Sequence, residues 1–397
     1  MIEIRRDRYL DYTHRFLGNG MIKVITGMRR VGKSVLLRQL ASDLRQSGRA
    51  VQYIDRESFD WDHVRTAADL VATVSGSHTT DTLIVDEVQT IDEWERAAAS
   101  LSQTMDVLVA GSNAALLSGE LATRLAGRTV TIPVYPLSLP EFRTLRDERG
   151  QSGDLRNDFR DYLRFGGLPG LLHSELDPDV AYPVLRDIFD TIVLRDVIQR
   201  HAIRNPSLLE SIARFAMDNI GSLVSAKRIA DFLKSQRRTT TVDTVLDYLR
   251  MLCEAYILHR VPRFDIRGRR HLEVNDKFYL GDIGLRHGSL GYRETDIGGM
   301  LENLVYLELR RRGYDVSVGT SADREIDFVA TRPPDERLYI QVAYLLERPE
   351  TIERETAPLL SVGDAYPKQL LTLDEHQPGS LRGIIHQNIP EWLNEET

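Results

Sequence analysis

Short aliphatic runs recur along the first third of the chain and alternate with polar turns and with segments of helical spacing. Runs of this length are typical of strands, and strands that alternate with helices favour an open parallel sheet covered on both faces. Five strands are predicted, at residues 22–25, 50–54, 83–85, 105–113 and 129–138. After the first run, apolar residues return at the spacing of one helix face: Val35, Leu36, Leu37, Leu40 and Leu44.

The apolar pattern becomes mainly helical after residue 179. Residues 179–204 and 208–220 each show one apolar face, and Ser225 is placed to cap the next helix. A longer helix, a strand, a basic turn and another strand follow, which is the order of a winged helix-turn-helix. Four apolar residues of the longer helix are expected to pack inward: Val242, Val245, Leu246 and Leu249.

These patterns predict four domains in the 397-residue chain. A charged stretch with glycine and serine after residue 138 marks the end of the first domain. The predicted domains are an αβα sheet domain at 1–148, a helical lid or connector at 149–205, a winged helix at 206–272 and a C-terminal α/β domain at 273–397.

Composition and charge narrow the class of protein. The net charge of −8 argues against a protein that coats DNA uniformly, but residues 225–270 carry eleven basic and five acidic residues, a local charge of +6. No apolar run approaches the roughly 18 residues of a membrane span, so we expect no membrane association. The N-terminus has no signal-peptide pattern, and the single cysteine, Cys253, cannot form an intramolecular disulfide. A cytoplasmic protein is expected.

The loop after the first strand matches the phosphate-binding pattern GxxxxGK[ST] and predicts an ATP and Mg²⁺ site. Its glycines allow backbone N–H groups to point at phosphate oxygens at a helix N-terminus. Lys33 would reach the β- and γ-phosphates, and the Ser34 hydroxyl would bind Mg²⁺. The nucleotide-binding residues are predicted to be Gly27, Met28, Arg29, Arg30, Val31, Gly32, Lys33, Ser34 and Val35.

Polar residues at the ends of later strands complete this site. Asp86 and Glu87 follow a buried strand, where Asp86 would hold Mg²⁺ through water and Glu87 would polarise the attacking water. Ser112 and Asn113 end a further strand and can contact the γ-phosphate or the water. Arg124 and Arg128 precede the last strand. Arg128 is the preferred candidate for an arginine finger that enters a neighbouring subunit's site, and the alternative is a solvated or salt-bridged arginine at the start of a strand. A finger that acts between subunits would require a homo-oligomer.

Two features downstream leave alternatives open. Gly166-Gly167 before Leu168-Pro169 interrupts a helix and forms either a helix-terminating turn or a close approach to the nucleotide. The winged helix binds either double-stranded DNA or a protein, because modules of this kind serve both purposes. The residues expected to contact DNA are Arg237, Arg238, Arg267, Arg269 and Arg270.

The C-terminal part resembles the PD-(D/E)xK nuclease core, with Glu302 on a helix, Asp327 on a strand and Gln341 on the next strand. Active members of that family bind magnesium through carboxylates and use a lysine two residues after the second acid. Here Gln341 replaces the acid and Ala343 replaces the lysine. We therefore expect a degenerate site in a fold that no longer cleaves nucleic acid.

The motifs GMRRVGKS, LIVDEVQ, VAGSN, LAGR, GGLPG, FYLGDIGL, LENLVYLELRRRG, REIDFVA and YIQVAY occur in one order along nearly the whole chain. They resemble a bacterial and archaeal family of AAA-type P-loop ATPases with an appended domain of unknown function. The resemblance implies the branch with an additional strand between the two Walker strands and a catalytic glutamate. The candidate strand at 50–54 lies between those strands along the chain.

The function implied is Mg²⁺-dependent ATP binding and hydrolysis to ADP and phosphate that drives or gates a DNA-associated activity. A nucleotide-dependent protein-interaction scaffold is the alternative. An ATP-regulated nuclease is the third hypothesis.

Overall fold

The computed structural model describes residues 3–76, 80–114, 125, 127–151, 153–173, 176–321, 324–375 and 379–395, except the side chains of residues 273 and 274. The chain forms two compact units. Unit 1 is Met1–Tyr135 with Glu254–Tyr256, and unit 2 is Pro136–Cys253 with Ile257–Thr397. This division is coarser than the four predicted domains, whose boundaries remain a prediction.

Unit 1 contains the predicted five-stranded sheet. Its elements are α1 Asp7–His14, β1 Ile22–Thr26, α2 Lys33–Gln46, β2 Val51–Asp55, α3 Ala67–Ser75, β3 Thr82–Asp86, α4 Trp94–Leu101, β4 Asp106–Gly111 and β5 Thr129–Pro133. The strands are parallel in the order β2-β3-β4-β1-β5. The strand that separates the two Walker strands, β1 and β3, is β4, while β2 lies at the sheet edge. Proximity along the chain therefore misidentified the additional strand.

The core of unit 1 lies between the sheet and helices α3 and α4, where aliphatic side chains of β1, β3 and β4 are buried. Complete burial of each central strand explains why the sequence shows continuous aliphatic runs instead of alternation. At the start of the sheet the buried ammonium of Lys23 lies 2.5 Å from Asp106, which joins β1 to β4. The carboxylate of Asp106 also accepts from Arg49 and from the backbone of Gly18.

Unit 2 is built on a nine-stranded mixed sheet in the order β13-β14-β12-β11-β10-β9-β7-β8-β6. A π-helical segment, Val193–Gln199, extends the third of its helices. The helices are α5 Leu139–Asp147, α6 Leu155–Phe165, α7 Pro178–Ile192, α8 Pro206–Asp218, α9 Ala226–Ser235, α10 Val242–Glu254, α11 Ile283–Leu290, α12 Ile297–Arg311, α13 Pro349–Leu360 and α14 Ile389–Asn394. The strands are β6 Leu223–Val224, β7 Leu258–Asp265, β8 Arg270–Leu280, β9 Asp315–Ser321, β10 Arg324–Arg332, β11 Glu336–Val342, β12 Lys368–Thr372, β13 Ser380–Leu381 and β14 Ile384–Asn388.

The hairpin β7–β8 belongs to this sheet. Strands β7 and β8 pair antiparallel with each other, β8 also pairs antiparallel with β6, and β7 pairs parallel with β9. The predicted boundary at residue 272 therefore falls inside β8, which spans Arg270–Leu280 and shifts its register against β7 between Leu272 and Lys277. The segment expected to form a winged helix and the C-terminal segment share one sheet.

Helix α10 buries only part of the apolar face predicted for it. Val245, Leu249 and Leu252 are buried, while Val242 is 40% exposed and Leu246 is 53% exposed. The prediction that Val242 and Leu246 pack inward was wrong. At 100° per residue both lie on one flank of the buried stripe, so an apolar residue adjoining the stripe was mistaken for part of it.

The Gly166-Gly167 pair forms the end of α6. Gly166 has φ +78°, and a Cβ there would lie 2.1 Å from Oδ1 of Asp282. The carboxylate of Asp282 accepts hydrogen bonds from the backbone N–H groups of Gly167 and Gly284, both at 2.8 Å. The pair is thus a helix-terminating turn that docks on a buried carboxylate, the first of the two interpretations left open by the sequence.

Among the helices of the described residues, none is both long and apolar enough to cross a membrane.

Candidate functional site

The loop between β1 and α2 has the backbone that a phosphate-binding loop requires. Gly27 has φ +146°, and a Cβ at this position would lie 2.2 Å from the carbonyl oxygen of Val134. Gly32 has φ +96° and precedes the first helical residue, Lys33. Both positions need glycine, one for space and one for backbone conformation. The loop therefore passes directly into the N-terminus of a 14-residue helix.

The ammonium of Lys33 lies against this loop. The side chain is buried, and Nζ donates to the carbonyl oxygens of Gly27 at 2.9 Å and Met28 at 3.0 Å. A charged amine held at the loop's backbone is positioned to reach oxygens that the loop's N–H groups bind. In the same loop, Arg29 pairs with Glu57 at 2.8 Å, which anchors the exposed side of the loop.

A buried arginine braces the loop from behind. Arg6 donates from Nη1 to the carbonyl of Val31 at 3.1 Å, and both its terminal nitrogens donate to the carbonyl of Tyr135 at 3.1 Å. Its guanidinium lies 4.4 Å from the centre of the Tyr9 ring, whose hydroxyl accepts from the backbone of Tyr135. Arg6 is not among the predicted site residues, because an arginine before the first strand carries no motif.

Two acidic residues end β3 beside the loop. Asp86 is buried, and its pKa is raised by burial, an effect that a hydrogen bond from the Ser34 side chain opposes. Glu87 follows in the left-handed region, with φ +53°, and its N–H donates to Asp86 at 3.0 Å. Its carboxylate accepts from the side-chain amide of Gln89. The turn directs two adjacent carboxylates differently, one to Ser34 and one to Gln89.

Ser112 and Asn113 follow β4, the strand between β1 and β3, and both are buried. Gly111 pairs with Thr26, so this strand end adjoins the start of the loop. The Ser112 hydroxyl is enclosed and has no hydrogen-bond partner in the part of the chain that the structure describes. A buried hydroxyl without a partner is costly, and a polar ligand at this edge of the sheet would satisfy it.

The edge strand β2 contributes two further residues that the sequence analysis did not single out. Asp55 is paired in register with Asp86. Burial raises the pKa of Tyr53, and the nearby charge of Asp86 raises it further. Asp55 could have been found by the rule that identified Asp86, since both are acids at the carboxyl end of a parallel strand.

Arg128, the predicted finger, is exposed and directly precedes β5, and its carbonyl accepts from the backbone of Ile22 at 2.8 Å. Arg124 lies outside the described residues. The side chain of Arg128 thus reaches solvent at the edge where β5 begins.

The predicted DNA-contacting arginines of unit 2 are all exposed. Arg237 and Arg269 have φ of +60° and +50°, and Arg238 donates to the carbonyl of Ser207 at 2.8 Å. In the hairpin turn, Asp265 accepts from the backbone N–H groups of Arg267 and Gly268. The exposed face of α10 is different, because it presents two acids and two apolar residues: Val242, Asp243, Leu246 and Asp247. One arginine, Arg250, lies beside them and pairs with Asp247 at 3.5 Å.

The three residues of the predicted degenerate nuclease site lie together in unit 2. The N–H of Asp327 donates to the side-chain oxygen of Gln341 at 3.4 Å, and Lys277 contacts both Glu302 and Asp327. Within the described residues, no group of three or more His, Cys, Asp or Glu side chains is arranged to hold a metal ion. Lys277 was missed because it lies on β8, far along the chain from the position where the lysine was sought.

A five-stranded parallel sheet of this order, with a glycine-rich loop feeding a helix from its β1, defines the class of P-loop nucleoside triphosphatases. Residues 19–143 match the family described as AAA domain, and residues 156–296 match a domain of unknown function (DUF8612). Among solved structures, the Walker-type ATPase PABY2304 of Pyrococcus abyssi is similar in fold, with a TM-score of 0.52 and 15% sequence identity. That match covers 72% of this chain and 95% of the other.

Among curated proteins, an uncharacterized protein of Haemophilus influenzae is 37% identical over 399 residues, covering 98% of both chains. An uncharacterized protein of Methanocaldococcus jannaschii is 29% identical over 305 residues, which are 74% of this chain and 67% of the other. The chain belongs to the same family as the Haemophilus influenzae protein, and its first domain is an AAA-type P-loop domain.

Proposed function

We propose that unit 1 binds ATP with Mg²⁺ and hydrolyses it to ADP and phosphate. The observation that carries this proposal is the meeting of Lys33, Ser34 and Asp86 at one edge of the sheet, where Lys33 donates to the loop backbone and the Ser34 side chain opposes the rise that burial causes in the pKa of Asp86. A hydroxyl next to a buried carboxylate is a suitable donor set for Mg²⁺, and the enclosed Ser112 hydroxyl suits a phosphate oxygen or a water. The residues present therefore fit both groups.

Each side chain then has a separate task. The backbone of residues 27–34 and the N-terminus of α2 bind phosphate oxygens, and Lys33 neutralises charge on the β- and γ-phosphates. Ser34 and Asp86 hold Mg²⁺, which when bound withdraws charge from the phosphates. Glu87 orients and polarises the attacking water, while Ser112 and Asn113 position the γ-phosphate or that water.

An exposed arginine supports a proposal that the site is completed between subunits. Arg128 is exposed at the sheet edge where β5 begins. An arginine finger from a neighbouring copy stabilises the charge of the transition state in ATPases of this class. The active form would then be a homo-oligomer.

For unit 2 we propose a winged helix joined to a degenerate nuclease-like fold, which couples the ATPase to double-stranded DNA. The order α8, β6, α9, α10, β7, β8 supports the first part, and the arrangement of Glu302, Asp327 and Gln341 supports the second. The exposed arginines of the hairpin turn and of the turn before α10 would contact phosphates.

A protein-interaction scaffold is the second candidate, and one observation favours it. Asp243 on the exposed face of α10 would repel a phosphate backbone and Asp247 is already paired with Arg250, while Val242 and Leu246 offer apolar contact area. On this hypothesis α10 binds a protein partner and ATP hydrolysis is indifferent to DNA.

The deciding experiment measures ATP turnover with and without duplex DNA, for wild type and Lys33→Ala, with the exposed Lys234→Ala as a control. We expect Lys33→Ala to abolish turnover and Lys234→Ala to preserve it, because Lys33 contacts the loop and Lys234 is exposed in unit 2. DNA-stimulated turnover would support the DNA-associated function. Turnover that DNA leaves unchanged, without binding at low salt, would support the scaffold, and turnover retained by Lys33→Ala would overturn the ATPase assignment.

A further inference from the structure

One lysine of unit 2 is buried among three carboxylates that come from different parts of the chain. The side chain of Lys277, on β8, is 2% exposed. Its Nζ lies 3.0 Å from Glu302 of α12, 2.8 Å from Glu325 of β10 and 3.2 Å from Asp327 of the same strand. An ordinary ion pair joins one acid to one base, whereas here three carboxylates surround one buried ammonium, as carboxylates surround a bound metal ion.

The polar groups around the lysine already have protein partners. The Tyr279 hydroxyl donates to Glu302 at 2.9 Å, and the backbone N–H of Val342 donates to the second oxygen of Asp327 at 2.9 Å. The side chain of Gln341 accepts from Asp327 and donates to Glu355 at 3.2 Å. Oε2 of Glu302 and both carboxylate oxygens of Asp327, which a magnesium ion would need, thus already accept from protein donors.

Charge in the cluster is arranged around the ammonium. Burial opposes the charged form of Lys277, but Tyr279 and the three carboxylates hold its pKa well above the usual value. Burial, together with the charge of Asp327, raises the pKa of Glu302 to about 8. The ammonium of Lys277 lies within 3.2 Å of all three carboxylates and offsets the repulsion among them, so no second cation is required to bring the acids together.

We propose that Lys277 is a built-in cation that takes the place of a divalent metal ion in this carboxylate cluster. Its ammonium joins β8, β10 and α12, so the nuclease-like part folds without a metal. In this protein the cluster binds neither Mg²⁺ nor Mn²⁺, and it cannot activate a water for phosphodiester cleavage. The proposal is independent of the ATPase assignment, since every residue in it lies in unit 2.

Mn²⁺ binding to the full chain tests the proposal. The protein carries Lys33→Ala and is kept free of nucleotide, so that the loop of unit 1 contributes no metal site, and bound Mn²⁺ is measured from the loss of the free-ion electron paramagnetic resonance signal. With Lys277 intact, we expect Glu302→Gln to leave Mn²⁺ binding unchanged, because the cluster holds no saturable Mn²⁺ site. A saturable site that Glu302→Gln abolishes would overturn the proposal.

Exchange of the lysine provides the opposite test. Lys277→Met removes the ammonium but keeps an unbranched side chain, so the freed carboxylates should bind Mn²⁺ at least about tenfold more tightly, a change of about 1.4 kcal/mol. Lys277→Arg keeps the charge and should stay metal-free, as should Lys234→Met, which alters an exposed lysine of the same unit. A folded Lys277→Met protein without this gain would contradict the proposal. If Lys277→Met does not fold, the measurement with Lys277 intact decides.

Discussion

The guanidinium of Arg6 donates to the carbonyl oxygen of Val31 at 3.1 Å, inside the loop that the sequence assigns to phosphate binding. The same guanidinium holds the carbonyl of Tyr135 at the end of unit 1. An arginine more than twenty residues before the loop therefore helps to fix the loop's backbone, and the first predictions concern this contact and the site it supports.

Arg6→Lys should weaken ATP binding about tenfold. Lysine keeps the charge but cannot donate to both carbonyls in the planar arrangement of a guanidinium, and loss of a buried charge-assisted hydrogen bond costs about 1.5–3 kcal/mol. Equilibrium titration with a fluorescent ATP analogue measures the effect. Arg5→Lys is the matched control, because Arg5 is exposed and its side chain donates to Asp7 and Asp43. Equal affinities in the two variants would refute the role of Arg6.

Glu87→Gln should retain ATP binding while turnover falls about a hundredfold or more, since an amide polarises water poorly. Glu93→Gln is an unusually close control. Glu93 also precedes a helix and has φ +54°, compared with +53° for Glu87, but its side chain pairs with Arg96 on the surface. Single-turnover hydrolysis and nucleotide binding separate the two steps. Normal turnover in Glu87→Gln would exclude it as the catalytic base.

Neutralising the hairpin turn tests the DNA proposal. The triple change Arg267→Gln, Arg269→Gln and Arg270→Gln should lower the slope of log affinity against log salt by about three, one for each phosphate contact. A control with the same loss of charge replaces exposed arginines elsewhere in unit 2: Arg348, Arg354 and Arg382. Fluorescence anisotropy of labelled duplex over a range of salt concentrations measures both. Equal slopes would assign any DNA binding to general electrostatics and favour the scaffold.

Gly166→Ala should destabilise unit 2 more than Gly150→Ala. Both glycines have positive φ, +78° and +66°, so both substitutions strain the backbone by about 1 kcal/mol. At Gly166 the new methyl group would also collide with Asp282, whereas nothing lies within 4 Å at Gly150. We expect a difference of about 2 kcal/mol or more in unfolding free energy from denaturant titration. Equal losses of unfolding free energy in the two variants would show that Asp282 moves away from the added methyl group at no cost.

The carboxyl group of Asp282 should also make the stability of the folded protein depend on pH. Burial raises the pKa of Asp282 to about 7 from an ordinary value of 3.8. The folded state therefore holds this proton more tightly, so the contribution of Asp282 to stability is complete below about pH 4 and is lost as the pH rises through about 7. Denaturant unfolding at pH 5 and pH 8 should show wild type losing stability relative to Asp282→Asn. Parallel pH profiles would contradict the raised pKa.

Local patterns in the chain were sufficient to predict the sheet of unit 1 and the loop that leads from β1 into α2, because they reflect local requirements of a loop that follows a buried strand. The roles of Lys33, Ser34 and Asp86 stay predictions. Local patterns failed where partners are distant in sequence. Gly166 is explained by Asp282, more than a hundred residues away, and Lys277 contacts Glu302 and Asp327 from a strand distant from both along the chain. Periodicity could not separate Val242 and Leu246 from the buried stripe beside them, since the choice depends on what packs against each flank.

Local sequence patterns also could not predict the order of the strands across the sheet. The chain shows that residues 50–54 lie between two Walker strands in sequence, but β4 is the strand that lies between them in space. Order along a parallel sheet is decided by where each crossover helix packs, and a single sequence carries little information on that choice.

Strand β8 links the exposed hairpin to the buried cluster, and this restricts how the family can change. Arg270 and Lys277 lie on the same strand, but its pairing with β7 shifts between them, because Leu272 pairs with Arg263 and Lys277 pairs with Val261. Asn275, with φ +62°, lies in this irregular stretch, and regular pairing runs from Lys277 to Leu280. Side chains alternate between the two faces of a regular strand, so inserting or deleting one residue between Lys277 and Leu280 would turn Lys277 to the opposite face and leave three acids facing each other. Length differences among relatives should therefore occur in the turn at residues 266–269 or in the irregular stretch at 273–276, which lets the hairpin's outer end diversify while the buried lysine stays in register.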